Sequence, residues 1–299
     1  MIRAFHVRLP LRTPLAGLEH RDAILVEGPA GWGEWSPLAG YPSDPVSCWA
    51  ACQEATSEPW PAPVRQQIPV NALVPAVKAA QAGRLAAEAK AAGIGTVKVK
   101  VGPEPAGADL DRVAAVRDAL GPDGRIRIDA NASWDLDDAV LALFRFDKYD
   151  VELAEQPVAT LEDLARLRRR VPVPLAADEA VRTLEDAYHL HKLNAADALV
   201  VKTQPLGGVR PALVIIEAAG VAAIVSSLYE TSVGLAAGLA LAACLPDLPY
   251  ACGLGTASLL AADVVADPLL AVDGMVAVRR PAPDPDLLST YGTPLEEEP

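Results

Sequence analysis

Short runs of β-branched and other apolar residues recur along the chain at intervals of about 25 residues. Eight such runs lie at 68–74, 96–101, 125–130, 151–156, 174–179, 198–203, 222–227 and 250–256. Most of the intervals carry Ala- and Leu-rich segments with helical periodicity, such as LEDLARLRRRV and LEDAYHLHKL. Eight strands that alternate with helices predict an α/β fold, a modified (β/α)8 barrel of the TIM type. An open doubly wound sheet is the alternative, and eight successive units favour closure.

The first part of the chain follows another pattern. IRAFHVRLPL, DAILVEG and GWGEW predict three strands of an antiparallel meander, and PVSCWAACQEAT predicts a helix. The Pro-rich linker EPWPAPVRQQIP comes next. We therefore expect a small α+β N-terminal capping domain at residues 1–66 and a catalytic barrel at residues 67–267. The Pro-rich segment 268–299 is expected to pack back on the N-terminal domain.

The length and charge of the chain limit the classes of function that the protein can have. The 299 residues are 51% apolar, which is ample for a core, and 26 basic against 39 acidic residues give a net charge of −13. Such a surface repels nucleic acid and anionic membranes, so neither is an expected partner. No uncharged run reaches the roughly 20 residues of a membrane span, and no Arg-rich or apolar leader opens the chain. A cytoplasmic protein is expected; a monomer is compatible with the sequence.

The four cysteines are consistent with a cytoplasmic protein. They lie at Cys48, Cys52, Cys244 and Cys252, with no histidine or further cysteine at zinc-finger spacing. We predict buried free thiols.

Charged residues, and one asparagine beside them, occupy the ends of consecutive predicted strands. They are Lys98 and Lys100 on the second strand, Asp129 and nearby Asn131 on the third, Glu155 on the fourth, Asp178 and Glu179 on the fifth, and Lys202 on the sixth. The steps from Asp129 to Glu155, Asp178 and Lys202 are 26, 23 and 24 residues, so each step is one βα unit. Each motif alone also fits an exposed strand face, a turn or a helix cap. Five consecutive strands ending in acid or lysine favour a site at the C-terminal rim of the barrel.

Three converging carboxylates would repel each other unless a cation neutralised them. Oxygen ligands from Asp129, Glu155 and Asp178 suit Mg²⁺, with Mn²⁺ as a substitute. No histidine falls at a strand end, so zinc is not expected. A lysine beside the ion and a second lysine should have a lowered pKa and could act as a base. This constellation suits removal of a proton α to a carboxylate.

With these residues in view, the chain resembles the enolase superfamily and, within it, the muconate-lactonising subgroup. The likeness runs through GPAGWGEWSPL, PVNALVPAV, VKVKVG, IDANASWD, EQPVATLEDLARLRRRVPVPLAADEAVR, VVKTQPLGG, VSSLYETSVGLAAGLALAA and ACGLGT. It is strongest to members that remove water from a succinyl-substituted cyclohexadiene carboxylate and leave an aromatic ring. GLEHRD stands where the family has a loop that closes over the site, and here that segment is short and polar.

The resemblance implies a role for each candidate residue. Asp129, Glu155 and Asp178 would bind Mg²⁺, and Lys100 would be the general base. Lys202 would stabilise the enediolate from the opposite face of a small carboxylate substrate. The supporting or substrate-binding residues would be Lys98, Asn131, Glu179, Ser226, Ser227, Gly253 and Gly255. For Ser226 and Ser227 the alternative is a plain strand end. For Gly253 and Gly255 it is a Gly turn.

Other functions use the same scaffold. An N-acylamino acid racemase or a dipeptide epimerase would use the same two lysines, and racemisation could be a side activity. Dipeptide epimerases carry an acidic DxD on the eighth strand, where this chain reads ACGLGT. A muconate-lactonising enzyme would normally be longer. A barrel without activity, serving as a scaffold, would have no reason to keep every ligand and both lysines.

Overall fold

Three antiparallel strands open the chain in the computed structural model, which describes residues 3–15, 17–102 and 106–295. They are β1 (Ala4–Leu15), β2 (Leu18–Gly28) and β3 (Gly31–Trp35), and helix α1 (Pro45–Ser57) follows them. The carboxylate of Asp44 accepts hydrogen bonds from the backbone N–H groups of Val46 and Ser47, which begins the helix. The predicted meander and helix are confirmed. We call β1–β3 and α1 the N-terminal region.

The GLEHRD segment runs from a turn residue, Gly17, into a strand. Residues 18–22 belong to β2, where Leu18 pairs with Leu15 and Arg21 pairs with Leu9. The expectation of a loop here is wrong for these residues, because alternating side chains continue the hairpin ladder.

The next elements alternate between strand and helix. In order they are β4 (Gln67–Pro69), β5 (Ala72–Val74), α2 (Ala79–Ala91), β6 (Thr96–Lys100), α3 (Ala106–Leu120), β7 (Arg125–Asp129), α4 (Leu136–Phe146), β8 (Val151–Glu155), α5 (Leu161–Arg168), β9 (Leu175–Ala177), α6 (Leu184–Leu193), β10 (Ala198–Val201), α7 (Val209–Ala219), β11 (Ala222–Val225) and α8 (Ser232–Cys244). Short 3-10 turns lie at Asp147–Tyr149 and Thr256–Leu259.

Seven of these strands form one parallel sheet, in the order β11-β10-β9-β8-β7-β6-β5. The predicted first strand is broken, since β4 pairs elsewhere. The predicted eighth strand is reduced to two parallel bridges, Val70 with Cys252 and Ser226 with Gly253, which join the sheet edges into a barrel. Prolines and glycines in LPDLPYACGLGT limit a longer ladder there. The (β/α)8-type barrel is confirmed.

A buried arginine also holds the eighth segment. Arg127 Nη1 donates a 2.7 Å hydrogen bond to the carbonyl of Ala251, and Arg127 Nε contacts Glu152 at 2.6 Å. Because Arg127 comes from β7, it links the third strand of the barrel to the eighth across the interior.

Side-chain hydrogen bonds cap the N-termini of two predicted outer helices, α5 and α6. Thr160 caps α5, and Thr183 forms a reciprocal capping box with Asp186 at α6. Gly208 offers no side chain to α7, so Glu54 of the N-terminal region accepts from the backbone N–H groups of Val209 and Arg210, at 2.6 and 3.0 Å. The N-terminal region thus contacts the barrel at the helix that follows β10.

The chain after the barrel returns to both regions. Strand β12 (Met275–Ala277) pairs with β4, helix α9 (Pro285–Tyr291) follows, and β13 (Gly292–Pro294) pairs with β1. The domain boundaries at residues 66 and 267 stay predictions.

Helix α8 is buried on nearly every side, which matches its apolar sequence SVGLAAGLALAAC. It packs against β3, and a β-carbon at Gly234 would lie 2.7 Å from Glu34 Cδ, so glycine permits this close approach. None of the helices in the described ranges has both the length and the apolar run needed to cross a bilayer. All four cysteines are free; Cys48, Cys52 and Cys252 are buried as predicted, whereas Cys244 is partly exposed.

Candidate active site

Strand register brings the predicted residues to one end of the barrel. Lys100 pairs with Asp129, and Asp129 pairs with Glu155 on the next strand. Glu155 pairs with Ala176, and Asp178 follows that residue by two positions, just after β9. Lys202 comes directly after β10. Consecutive parallel strands therefore place these charges side by side along the rim.

The two lysines of β6 converge on one carboxylate. Lys98 Nζ lies 2.9 Å from Asp129 Oδ2 and 2.8 Å from Glu155 Oε1. Lys100 Nζ lies 2.6 Å from the same Asp129 oxygen. The Lys98 side chain is 12% exposed and that of Lys100 is 22% exposed, so Lys98 is the deeper of the two.

Lys202, directly after β10, forms a separate ion pair. Its ammonium contacts both carboxylate oxygens of Asp178, at 2.5 and 2.6 Å. Tyr41 of the N-terminal region completes this cluster: its hydroxyl donates to Asp178 Oδ1 at 2.8 Å and accepts from Lys202 Nζ at 3.1 Å. Burial, and then the Asp178 carboxylate, raise the pKa of the Tyr41 phenol, which keeps it a proton donor.

Asn131 connects the two ends of this cluster. Its side-chain oxygen accepts a 2.6 Å hydrogen bond from Lys100 Nζ, and its amide nitrogen donates at 2.8 Å to Glu179 Oε1. Glu179 Oε2 is buried, and no described residue donates a hydrogen bond to it. Burial, and then Asp178, raise the pKa of Glu179.

The carboxylates of the cluster differ in their pKa shifts. Burial opposes ionisation of Asp129, but the Lys100 and Lys98 ammonium groups outweigh it and lower its pKa. Burial, and then the neighbouring Asp129 charge, raise the pKa of Glu155. Burial also disfavours the charged form of Lys98, yet Asp129 and Glu155 raise its pKa well above the usual value. The lowered lysine pKa expected beside a bound ion stays a prediction for the site with Mg²⁺ present.

The donor set fits a hard cation. Within the described ranges, no three histidine, cysteine, aspartate or glutamate side chains are grouped as metal ligands, and lysines pair with the carboxylates of the rim. Four carboxyl groups nevertheless meet three ammonium groups: Asp129, Glu155, Asp178 and Glu179 against Lys98, Lys100 and Lys202. The surplus negative charge, the raised pKa of Glu155 and the unpaired Glu179 oxygen all favour an additional positive charge here.

Four of the predicted substrate-binding residues lie at the joint between the end of β11 and the eighth segment: Ser226, Ser227, Gly253 and Gly255. Ser226 bridges to Gly253, and a β-carbon at Gly253 would clash with Ser226 Oγ. Ser227 Oγ donates to the Gly253 carbonyl at 2.8 Å and lies 2.8 Å from Thr256 Oγ1. A β-carbon at Gly255 would make only ordinary contacts. Close backbone approach therefore explains Gly253, whereas Gly255 has no such requirement.

Two residues at the site escaped the sequence reasoning. Tyr41 lies in the loop after β3, and no local pattern says that this loop reaches the barrel. Gln156 is fully buried beside Glu155 with a φ of 38°. Its side-chain oxygen accepts from the backbone N–H groups of Asp178 and Ala180, at 2.7 and 3.2 Å. The EQP tripeptide was a signal for Gln156, since its place directly after Glu155 puts it at the same rim.

Comparisons with known proteins show which families the chain matches. Residues 81–284 match the family described as enolase C-terminal domain-like, and residues 6–56 match the enolase N-terminal domain-like family. The o-succinylbenzoate synthase of Thermobifida fusca is 54% identical over 93% of this chain and 87% of that protein. The o-succinylbenzoate synthase of Mycobacterium bovis is 43% identical over 98% of this chain and 89% of that protein.

A solved structure shows the same fold at low identity. Muconate lactonizing enzyme from Pseudomonas fluorescens, complexed with muconolactone, superposes with a TM-score of 0.85 at 22% identity, and 98% of each chain is covered. This likeness concerns the fold alone. The barrel and its N-terminal region thus occur together in a known architecture.

Proposed function

Because the chain belongs to the enolase superfamily, we propose from its place among the o-succinylbenzoate synthases that it converts 2-succinyl-6-hydroxy-2,4-cyclohexadiene-1-carboxylate into 2-succinylbenzoate, a step of menaquinone biosynthesis. The reaction is a β-elimination of water, so the chain is a hydro-lyase. The observation that carries this function is the 54% identity to an o-succinylbenzoate synthase over 93% of the chain. The paired lysines and carboxylates at the rim support it.

We assign Mg²⁺ as the cofactor, with Asp129, Glu155 and Asp178 as the residues that would hold it. The surplus of carboxyl groups over ammonium groups supports this assignment. When bound, Mg²⁺ would supply Lewis-acid stabilisation for negative charge on a substrate carboxylate. Glu179, with one unpaired oxygen, would add a further carboxyl group beside the ligands.

Lys100 is the proposed general base. It is the more exposed lysine of β6, and Asn131 and Asp129 fix its ammonium from the rim side. As a neutral amine it takes the α-proton, and the C–H electrons delocalise onto the carboxylate. The C–O bond then breaks, the departing hydroxide takes a proton from Lys100, and water leaves as the ring becomes aromatic. The ring therefore loses one proton and one hydroxide, which together make one water.

Lys202 acts from the other side of the ring in this mechanism. Three strands separate β10 from β6, so the two lysines approach the barrel mouth from different directions. Lys202 needs only to remain cationic while negative charge builds up on the substrate. Its ammonium is held beside the Asp178 carboxylate.

The substrate's two carboxylates would be held by different parts of the rim. Lys98 and Asn131 would support the ring carboxylate. The joint formed by Ser226, Ser227, Gly253 and Gly255 would bind the succinyl tail through backbone and hydroxyl groups. A cytoplasmic location and the absence of nucleic-acid and membrane partners stay predictions from charge and cysteine content.

N-acylamino acid racemisation is the second candidate, because lysines on two sides of a substrate suit it. The absence of acid from ACGLGT disfavours dipeptide epimerisation. The test offers the purified protein with Mg²⁺ the cyclohexadiene substrate, N-succinyl amino acids and dipeptides in parallel. We expect kcat/KM to be highest for dehydration. A higher kcat/KM for racemisation or epimerisation would move the primary function to that reaction.

A further inference from the structure

The loop at residues 36–44 carries one side chain of the N-terminal region to the candidate site. The hydroxyl of Tyr41 lies between Asp178 Oδ1 and Lys202 Nζ, at 2.8 and 3.1 Å. The Lys202 ammonium also lies 4.3 Å from the centre of the Tyr41 ring. Both the polar and the aromatic part of Tyr41 therefore contact the same ammonium.

The N-terminal end of this loop is hydrogen-bonded to the barrel. The Gln204 side chain accepts from the Ser36 backbone N–H at 2.8 Å and donates to Ser36 Oγ at 2.9 Å. Arg21 Nη2 donates to the Ser36 carbonyl, and Arg21 Nε donates to the Leu228 carbonyl at 3.1 Å. Arg21, Ser36 and Gln204 are all buried. Two side chains thus join the start of the loop to the segments that follow β10 and β11.

The second end is fixed as well. Ser43 Oγ accepts from the Leu38 N–H at 3.0 Å, which closes the loop on itself. Asp44 then caps α1 through the Val46 and Ser47 N–H groups. A loop held at both ends presents Tyr41 from a defined place, as a preorganised contact requires.

From these contacts we propose that Tyr41 is a positioning residue for Lys202. A lysine ammonium is a point charge on a flexible four-carbon stem, and it stabilises developing charge best when it is already in place. The Tyr41 hydroxyl and ring restrict that stem. The N-terminal region therefore contributes to the rate through the placement of the Lys202 charge, a role that rests on the proposed function of Lys202.

Three variants test the proposal by steady-state dehydration kinetics. Tyr41→Phe removes the hydroxyl and keeps the ring, Tyr41→Leu removes both, and Tyr188→Phe makes the same change as the first on the outside of α6, where Tyr188 is exposed. We expect kcat to fall about tenfold for Tyr41→Phe and about a hundredfold for Tyr41→Leu, because each loses contacts that hold a charge in place. KM for Tyr41→Phe should stay within about twofold of wild type, and Tyr188→Phe should match wild type.

Two kinetic results would overturn the proposal. One is a kcat for Tyr41→Phe equal to that of wild type. The other is a rise in KM at constant kcat, which would make Tyr41 a plain binding contact. Equal melting temperatures for Tyr41→Phe and wild type establish that the fold is intact; if Tyr41→Phe melts lower, the crystallographic comparison below decides.

Crystal structures of wild type and Tyr41→Phe separate this proposal from the proposed function. We expect one Lys202 position in wild type and several in the variant. If wild type makes no 2-succinylbenzoate but Lys202 spreads over several rotamers in the variant, the positioning role stands and the proposed function fails. A single, unchanged Lys202 position in Tyr41→Phe contradicts the positioning role, whatever the activity.

Discussion

Lys98 and Lys100 contact one and the same atom, Asp129 Oδ2, at 2.9 and 2.6 Å. Their alternation on β6 puts both ammonium groups on one face, and the single shared oxygen keeps them close together. They are not equivalent, because Lys98 also contacts Glu155 while the second partner of Lys100 is the neutral Asn131. The deeper lysine is surrounded by more negative charge than the outer one.

Replacement of each lysine by Ala should reveal this difference. We expect Lys100→Ala to lose about 10³-fold in kcat for dehydration, as the removal of a general base predicts. Lys98→Ala should lose about tenfold and mainly raise KM, since Lys98 would support a substrate carboxylate without taking the proton. Initial rates with Mg²⁺ at saturation provide the measurement. Full activity in Lys100→Ala together with its loss in Lys98→Ala would mean that the two roles are reversed.

A chiral substrate should separate Lys100 from Lys202. On an N-succinyl amino acid, each lysine would exchange the α-proton of one enantiomer. In deuterated water, Lys100→Ala and Lys202→Ala should therefore lose exchange with opposite enantiomers, as followed by proton NMR on separate L and D substrates. Loss of the same enantiomer in both variants would place the two lysines on one face of the substrate.

Magnesium should stabilise the folded protein. An ion that binds only the folded site adds about 2.7 kcal/mol to the free energy of unfolding at one hundred times its Kd. Wild type should thus melt at a higher temperature with millimolar Mg²⁺, whereas Asp178→Asn should respond less. Asp247→Asn, which changes an exposed aspartate, is the matched control and should respond like wild type. A wild-type melting temperature that does not change when Mg²⁺ is added would count against a metal site at these residues.

The buried carboxyl group of Glu34 should make stability depend on pH. Burial, and then the charge of Glu230, raise the pKa of Glu34 from 4.5 to about 7, against hydrogen bonds from Ser36 and Thr231 and the charge of Arg21. The folded protein then keeps a proton that the unfolded chain releases. The contribution of Glu34 to the free energy of unfolding should therefore fall by about 3 kcal/mol as pH rises from 4.5 to 7, and level off above.

Urea unfolding of wild type and Glu34→Gln across this range measures that contribution. The variant should be less stable at low pH, because its amide nitrogen cannot accept a hydrogen bond from a donor such as the Gly234 N–H, whereas the hydroxyl oxygen of the protonated carboxyl can. The difference between the two proteins should shrink as pH rises. A difference that stays constant from pH 4.5 to 7 would show that Glu34 does not titrate there.

The barrel and its charged rim could be predicted because both depend on the regular spacing of βα units along the sequence. Parallel strands one βα unit apart meet at the same edge, so the spacing of Asp129, Glu155 and Asp178 already implied neighbouring side chains. The eighth strand was harder, since the prolines and glycines around Cys252 leave only bridges.

Long-range contacts could not be predicted from local pattern. Tyr41 reaches Lys202 across 161 positions of the sequence, through a loop fastened by Gln204 and Arg21. The raised pKa of Lys98 likewise depends on which carboxylates lie around it, which alternation along one strand does not specify. The loop expected at GLEHRD came from the family resemblance, which does not specify that residues 18–22 pair along the hairpin.

Ultraviolet detection of 2-succinylbenzoate formed from 2-succinyl-6-hydroxy-2,4-cyclohexadiene-1-carboxylate tests the central claim most directly. Wild type with Mg²⁺ should form the aromatic product, and Glu155→Gln should lose that activity while it keeps the wild-type circular dichroism spectrum, since a rim charge does not hold the barrel core. No product from wild type, or a near wild-type rate from Glu155→Gln, would contradict the account.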